Sequence, residues 1–234
     1  MRQIFLDTET TGLSAEGGDR IIEIGCVELV ARRLTGNNRH YFLNPGRDSH
    51  EEAFKVHGIS NEFLKDKPRF GVIAGELLDY LRGAEIIIHN APFDISFLNK
   101  ELELSGQAAI AQCVAKITDS LMMAKEAFPG KRNSLDALCA RLEVDNSGRT
   151  LHGALLDAEL LADVYINLTR GQNSLVMDDA SASGSTENFV VIDLSQFVLP
   201  LLAANDDELA DHEKLLADID KASKGKTVWR KAAA

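Results

Sequence analysis

Four acidic side chains lie beside the ends of predicted core elements: Asp7, Glu9, Asp94 and Asp157. Clustered carboxylates repel one another, so gathering them without cations raises their pKa values and costs stability. Oxygen ligands of this kind suit Mg²⁺ or Mn²⁺. Two such ions can stabilise the attacking and leaving oxygens of a phosphoryl displacement. We therefore interpret Asp7 and Glu9 as metal ligands in a centre for phosphoryl chemistry.

A histidine strengthens this interpretation. His152 precedes Asp157 by five residues in the stretch LHGALLD. From the loop that enters the helix, its imidazole can reach over the site and take a proton from an attacking water. The alternatives are simpler: a solvated strand end for the D-x-E pair, a helix-dipole contact for Asp94 or Asp157, and an exposed loop histidine.

The elements that must position these side chains are strands first and then strands mixed with helices. Asp7 and Glu9 are two residues apart on a strand, so they project from the same face. The segment EIIIH is apolar enough for a central strand. Turn chemistry in Thr35–Asn38 predicts a hairpin. The predicted strands are residues 2–6, 20–30, 40–43, 85–89 and 115–117.

Apolar residues at helical spacing predict the helices, and Pro92 suits a helix's first turn. No helix is predicted between the loop-like residues 44–46 and residue 70. The order of elements indicates an α/β domain with a mixed sheet. The predicted helices are residues 70–81, 92–102, 119–128, 134–142 and 153–168.

The composition changes after residue 170, which divides the chain into one domain, 1–170, and an appendage. Residues 171–189 include the polar, turn-rich DDASASGSTEN and are predicted to be a flexible linker. In the tail, 190–234, Asn205 and Glu208 can cap a helix. Its apolar stripe of Leu209, Leu216 and Ile219 cannot be buried by an isolated helix, so we expect it to dock on a partner.

Composition limits the class of function. The formal net charge of −11 disfavours a broad phosphate-neutralising surface, so contact with a polynucleotide should be local or metal-assisted. Cys26, Cys113 and Cys139 are odd in number and far apart, which indicates reduced thiols. No signal peptide or membrane-spanning run is visible, and we expect a cytoplasmic protein with no membrane partner.

Three motifs in order, FLDTETTGL, HNAPFDISFL and LHGALLDAELLADVY, resemble those of the DEDD family of exonucleases, histidine subtype. The resemblance runs from residue 2 to about residue 170. Within the family, the chain is most similar to the proofreading exonucleases of bacterial replicative DNA polymerases. The resemblance implies a ribonuclease H-like mixed β-sheet flanked by helices and 3′→5′ exonuclease activity that releases nucleoside 5′-monophosphates.

The resemblance also implies roles for the catalytic residues. Asp7 would bridge two divalent cations, Mg²⁺ or Mn²⁺, and Glu9 and Asp157 would help to hold the ion that activates water. Asp94 would support the second ion, and His152 would be the general base.

For substrate binding, Thr8–Leu13 would line the 3′-terminal nucleotide, and His57 would approach it. A packed loop histidine is the alternative for His57. The full set of predicted substrate contacts is Thr8, Glu9, Thr10, Leu13, His57, Asn90 and His152.

The predicted partners are a single-stranded or mismatched DNA 3′ terminus and, through the tail, the polymerase catalytic (alpha) subunit. A sliding clamp and a small accessory (theta) subunit are further partners that the resemblance implies. Gln172, Leu175 and Met177 resemble a clamp-binding peptide, with an ordinary linker start as the alternative. Trp229 is a candidate interface anchor, with packing against its own helix as the alternative.

Two rival functions share most of these features. An RNA-directed 3′ exonuclease of the same family would have an equivalent catalytic site, but a free-standing trimming enzyme has no need of a linker and docking helix. A non-catalytic assembly subunit would have no reason to keep four mutually repelling carboxylates together with His152.

Overall fold

The computed structural model describes residues 2–147, 151–170 and 204–223. The chain divides into two compact units, Met1–Met177 and Asp178–Ala234, and each is described by itself. None of the helices in these described ranges is long and apolar enough to cross a membrane.

The first unit is built on a mixed sheet. Its strands are β1 (Arg2–Thr10), β2 (Ile21–Val30), β3 (Arg33–Leu34), β4 (Arg39–Phe42), β5 (Glu85–Ile88) and β6 (Lys116–Asp119). The strand order is β3-β2-β1-β5-β6, and β4 also pairs with β2. The β2 strand pairs antiparallel with β1, β3 and β4, whereas β5 pairs parallel with β1 and β6.

Seven α-helices and one short 3₁₀ helix, Ile110–Gln112, are described in the first unit. The α-helices are α1 (Glu51–His57), α2 (Asn61–Leu64), α3 (Phe70–Leu81), α4 (Ala91–Leu104), α5 (Ser120–Ala127), α6 (Leu135–Leu142) and α7 (Ala154–Leu168).

Alternating side chains of β1 supply the cores on the two faces of the sheet. Ile4 and Leu6 pack in one cluster with residues of α3 and α4. Phe5 packs in another with Ala158 and Leu161 of α7. The sheet is therefore covered by helices on both faces, which confirms the predicted α/β class.

The structure changes the bounds of two predicted strands and adds two short helices. The first strand does not end at Leu6 but continues to Thr10, and the strand predicted at 115–117 is Lys116–Asp119. The helices α1 and α2 were not predicted. The helix α1 has seven residues, and only His57 among them is buried. It therefore has no stripe of buried apolar residues that a sequence pattern could reveal.

The second unit contains α8 (Asp206–Ala222) among its described residues. Asn205 and Glu208 form the predicted capping box, with each side chain bonded to the other residue's backbone N–H. Leu209 and Ile219 are exposed. The predicted contacts Gln172, Leu175, Met177 and Trp229 lie outside the described residues.

Candidate active site

Strand β1 carries Asp7 and Glu9 past the end of its parallel neighbour. Its pairing with β5 covers only Gln3–Phe5. On its other edge β1 stays paired with β2, where Asp7 lies opposite Gly25 and Glu9 opposite Glu23. The strand therefore does not end at Leu6, as the sequence predicted. It carries both carboxylates beyond the carboxyl end of β5, where open α/β sheets bind ligands.

A glycine brings α7 onto this strand pair. A Cβ added at Gly25 would lie 2.2 Å from both the carbonyl carbon of Ala154 and the nitrogen of Leu155. No side chain fits in that space, so the backbone of the first turn of α7 rests directly on β2. Asp157 lies in the same turn. Because Gly25 is the cross-strand partner of Asp7, this approach places the start of α7 beside the acidic part of β1.

Glu9, His152 and Asp157 form the candidate metal-binding cluster. One ligand atom from each lies within 4.8 Å of the others. His152 Nδ1 is 3.1 Å from Asp157 Oδ2. An ionised carboxylate only accepts hydrogen bonds, so Nδ1 is the donor, and Nε2 is the nitrogen that accepts a proton in the neutral ring. Asp157 is buried and His152 is exposed, which leaves the imidazole open to a substrate.

Asp94 reaches the site from the first turn of α4. Its Oδ1 accepts from both the Thr8 backbone N–H, at 3.1 Å, and the Thr8 hydroxyl, at 2.7 Å. Burial raises the pKa of Asp94 to about 7, although the two Thr8 donors oppose the rise. A nearby divalent cation would favour the charged form of this carboxylate.

An apolar-walled groove of about 640 Å³ opens beside Glu9. One wall is the loop after β1, where Leu13 is 87% exposed, and the other is α1. Thr10 shapes the loop by donating its hydroxyl hydrogen to the Gly12 carbonyl oxygen at 2.6 Å. The lining residues are Thr8, Glu9, Thr10, Gly12, Leu13, Ser14, Asp19, His50, Glu52, Ala53, Val56, His57 and Phe93.

His57 ends α1 and is one of the groove-lining residues. The Ile59 backbone N–H donates to His57 Nδ1 at 2.9 Å, so Nε2 carries the hydrogen of the neutral ring. Nε2 is buried and has no hydrogen-bond partner in the part of the chain that the structure describes. Burial lowers the pKa of His57, which favours this neutral donor form.

Asn90 has a local structural role. It precedes α4 with a left-handed backbone (φ 71°), and its N–H donates to Asp119 Oδ1 at 3.1 Å. Asn90 is not among the groove-lining residues, so its predicted contact with substrate stays a prediction without support from the groove.

The structure thus places the predicted residues in two groups. Glu9, His152 and Asp157 meet in one cluster, whereas Asp7 and Asp94 are not members of it. Asp7 lies two residues from Glu9 on the same face of β1, and Asp94 is bonded to the intervening Thr8. Asp7 and Asp94 therefore both lie beside the part of β1 that carries Glu9.

Sequence reasoning missed the groove contacts of Asp19, His50 and Glu52. All three lie in segments that had been predicted as irregular or left unassigned. One signal was available: Glu51 and Glu52 begin the seven-residue segment EEAFKVH, which Gly58 follows, and this pattern is typical of a short helix with a left-handed C-cap.

A family model described as exonuclease matches residues 4–165, most of the chain and all the site residues above. The chain belongs to this exonuclease family. The predicted membership is confirmed, and divalent metals are general in the family. The carboxylate oxygens of Glu9 and Asp157 fit such an ion, and a ring nitrogen of His152 lies within 4.8 Å of both.

Curated relatives of the exonuclease match over almost the whole chain. DNA polymerase III subunit epsilon of Escherichia coli (strain K12) is 50% identical over 98% of this chain and 97% of the relative. The subunit of the same name from Pasteurella multocida (strain Pm70) is 48% identical over 98% of this chain and 94% of the relative. The subunit of the same name from Rickettsia felis (strain ATCC VR-1525 / URRWXCal2) is 46% identical over 95% of this chain and 99% of the relative.

Solved structures confirm the fold of the exonuclease. Exonuclease X in complex with 5′ overhanging duplex DNA has a TM-score of 0.57 and 22% identity, over 73% of this chain and 93% of that one. The zinc-bound form of an E. coli exonuclease I complex with single-stranded DNA has a TM-score of 0.65 and 16% identity, over 74% of this chain and 41% of that one.

Proposed function

We propose that this exonuclease is the 3′→5′ proofreading subunit of a bacterial replicative DNA polymerase. The single observation that carries the proposal is the Glu9–His152–Asp157 cluster at the edge of the groove. The proposal is also supported by the sequence, which is about half identical, over nearly its full length, to proteins named DNA polymerase III subunit epsilon. The reaction is hydrolysis of the 3′-terminal phosphodiester to a nucleoside 5′-monophosphate.

Two divalent cations, Mg²⁺ or Mn²⁺, are the proposed cofactors, and Asp7, Glu9, Asp94 and Asp157 are their proposed protein ligands. When bound, the ions would supply Lewis-acid stabilisation of the phosphate oxygens and a lowered pKa for water. The buried Asp94 supports this assignment, because a carboxyl group held in a dry site at considerable free-energy cost commonly marks a functional position.

His152 acts in the proposal as the general base. Asp157 accepts the Nδ1 hydrogen and so fixes the ring orientation and tautomer, leaving Nε2 to take the proton from the attacking water. This arrangement also stabilises the imidazolium that forms, because a carboxylate lies next to the new positive charge.

The groove binds the terminal nucleotide in the proposal. The apolar side chain of Leu13 faces solvent at the mouth of the groove, where a base can pack against it. Thr8 and Thr10 line its floor. His57 Nε2–H is suited to donate to a sugar or phosphate oxygen, since it is buried without a hydrogen-bond partner among the described residues.

The acidic composition agrees with proofreading. A net charge of −11 leaves little general attraction for a phosphate backbone, so binding must come from local contacts and from a tethering partner. A mismatched terminus costs less free energy to unpair than a matched one, so a site that accepts a single-stranded end favours errors.

The proposed partner of the tail is the polymerase catalytic (alpha) subunit. The exposed leucines Leu209 and Leu215 on α8 support a docking role for this helix. We also propose that a sliding clamp binds Gln172, Leu175 and Met177 and that Trp229 is an interface anchor. A small accessory (theta) subunit is a further proposed partner. The compartment of such an assembly is the cytoplasm.

The proposal is tested with 5′-labelled DNA primers whose 3′ end is paired, mismatched or single-stranded, with an RNA oligonucleotide of the same sequence as comparison. We expect single-stranded and mismatched DNA to be shortened faster than paired DNA. Preferred digestion of RNA would identify the RNA-directed alternative instead.

The tail assignment is tested separately. A chain truncated after residue 170 should keep nuclease activity and lose the polymerase catalytic subunit in a pull-down. Retained binding by the truncated chain would contradict the tail assignment, and loss of both properties would show that the first unit does not function alone.

A further inference from the structure

The two walls of the groove come from separate parts of the chain, so contacts between these parts must fix the distance between the walls. One wall is the loop Gly12–Ser14, and the other is formed by α1 residues Glu52–His57. Leu13 is 87% exposed, so its own side chain does not anchor the loop. Asp19 and His50 lie between the two walls and also line the groove.

Asp19 holds the loop wall through its carboxylate. Oδ2 accepts the Ser14 backbone N–H at 3.0 Å, and Oδ1 accepts the Thr11 hydroxyl hydrogen at 3.3 Å. The side chain is 8% exposed, and a charge so buried is stable only with several donors. Burial alone would raise the pKa of Asp19, but the Ser14 N–H, Arg47 and His50 together lower it.

His50 joins the same carboxylate to the other wall. Its Nε2 is 3.0 Å from Asp19 Oδ1, and it is the residue immediately before α1. Its backbone N–H also donates to the Thr11 carbonyl at 2.8 Å. Arg47 adds a cationic contact with the same carboxylate, with its Nη1 3.1 Å from Asp19 Oδ1.

The loop backbone packs tightly against this contact at Gly12. A Cβ added there would lie 2.4 Å from both Asp19 Oδ2 and His50 Cδ2. The absence of a side chain at Gly12 therefore allows the loop to pack against the two residues, and the position of Leu13 depends directly on where they lie.

We propose that the Asp19–His50 contact is a clasp that fixes the separation of the groove walls and so positions the 3′-terminal nucleotide. The inference rests on the proposed function and deepens it. Neither residue belongs to the Glu9–His152–Asp157 cluster, so both are positioning residues. Opening the clasp weakens the grip on the nucleotide while the reacting groups stay in place.

The test compares Asp19→Asn, His50→Ala and the double variant on a single-stranded DNA oligonucleotide. We expect each single variant to raise KM about tenfold, which corresponds to about 1.4 kcal/mol. The kcat should stay within about twofold, because uniform binding and not transition-state stabilisation is lost. The double variant should raise KM by less than the product of the two single effects, since the single variants share the Asp19–His50 contact.

Asp79→Asn is the matched control. It breaks the exposed ion pair between Asp79 of α3 and Arg82, and neither residue lines the groove. It should leave KM unchanged. Urea unfolding of each variant separates a loss of folded enzyme from a loss of binding. His50 is largely exposed, so His50→Ala tests the clasp even where Asp19→Asn fails to fold.

Three results would overturn the clasp: unchanged KM in both single variants, a fall in kcat alone, or additive effects in the double variant. A wild-type protein without exonuclease activity would overturn the proposed function itself, and with it the nucleotide-positioning role. An active wild type with unaltered variants would overturn the clasp alone.

Discussion

Gly25 and Ala154 lie so close that a Cβ on the glycine would be 2.2 Å from the carbonyl carbon of Ala154. The close contact between β2 and α7 brings two acidic residues towards each other. Gly25 is paired with Asp7 on β1, and Ala154 begins the helix that carries Asp157. A packed interior has few ways to absorb an added methyl group at such a distance.

Gly25→Ala should therefore displace the start of α7 and separate Asp157 from Glu9. We expect a loss of about 1–3 kcal/mol in the free energy of unfolding, measured with urea, which is the usual cost of overpacking. We also expect exonuclease activity to fall by more than the loss of folded protein explains.

Gly75→Ala is the control for Gly25→Ala. It lies on the exposed side of α3 with no atom within 4 Å of the added Cβ. In a helix interior this change should stabilise the protein by about 0.5–1 kcal/mol and leave activity unchanged. Equal behaviour of the two variants would contradict the close-packing explanation.

His152→Ala should reduce kcat by about 10²–10⁴-fold if the imidazole is the general base. The side chain is about half exposed, so its removal should leave the urea midpoint close to that of the wild type. Added imidazole should restore part of the rate by taking the proton in place of the missing ring. Undiminished turnover in the variant would exclude the role of base.

The raised pKa of Asp94 predicts that the free energy of unfolding depends on pH. Its folded pKa of about 7 exceeds its unfolded value of about 4, so the folded state holds the extra proton between these pH values. Without metal, the contribution of Asp94 therefore destabilises the fold progressively as pH rises from about 4 to about 7, by on the order of 4 kcal/mol. Urea unfolding in chelator, repeated across this range, measures the effect.

Asp94→Asn should remove that pH dependence and make the metal-free protein more stable than the wild type at pH 8. Mg²⁺ should stabilise the wild type at pH 8 more than it stabilises the variant, because a ligand is missing. Asp163→Asn, on the exposed side of α7, should behave like the wild type. Parallel stability curves for the wild type and Asp94→Asn would refute the assignment.

The predictable part of the fold was local. Residues 70–81 show helical periodicity and form α3 with those bounds, and Asn205 with Glu208 forms the expected capping box. The extension of β1 to Thr10 could not be predicted, because it depends on pairing with β2 and not on apolar side chains. Likewise, α1 buries a single histidine and carries no periodic signal.

The candidate site was predictable by residue type but not by arrangement. The sequence places Glu9, His152 and Asp157 far apart, and only the fold shows that they meet within 4.8 Å. The roles of Gly25 and Asp19 depend on contacts with Ala154 and His50, at separations of 129 and 31 residues. Long-range packing of this kind leaves no periodic pattern in a single sequence.

The most direct measurement is the release of nucleoside 5′-monophosphates from a 3′-labelled single-stranded DNA oligonucleotide by wild type and Asp7→Ala, with Mg²⁺ and with chelator. The proposed two-cation site predicts release only by the wild type with Mg²⁺, while Asp7→Ala remains folded and inactive. Release in chelator, or undiminished release by Asp7→Ala, would contradict it.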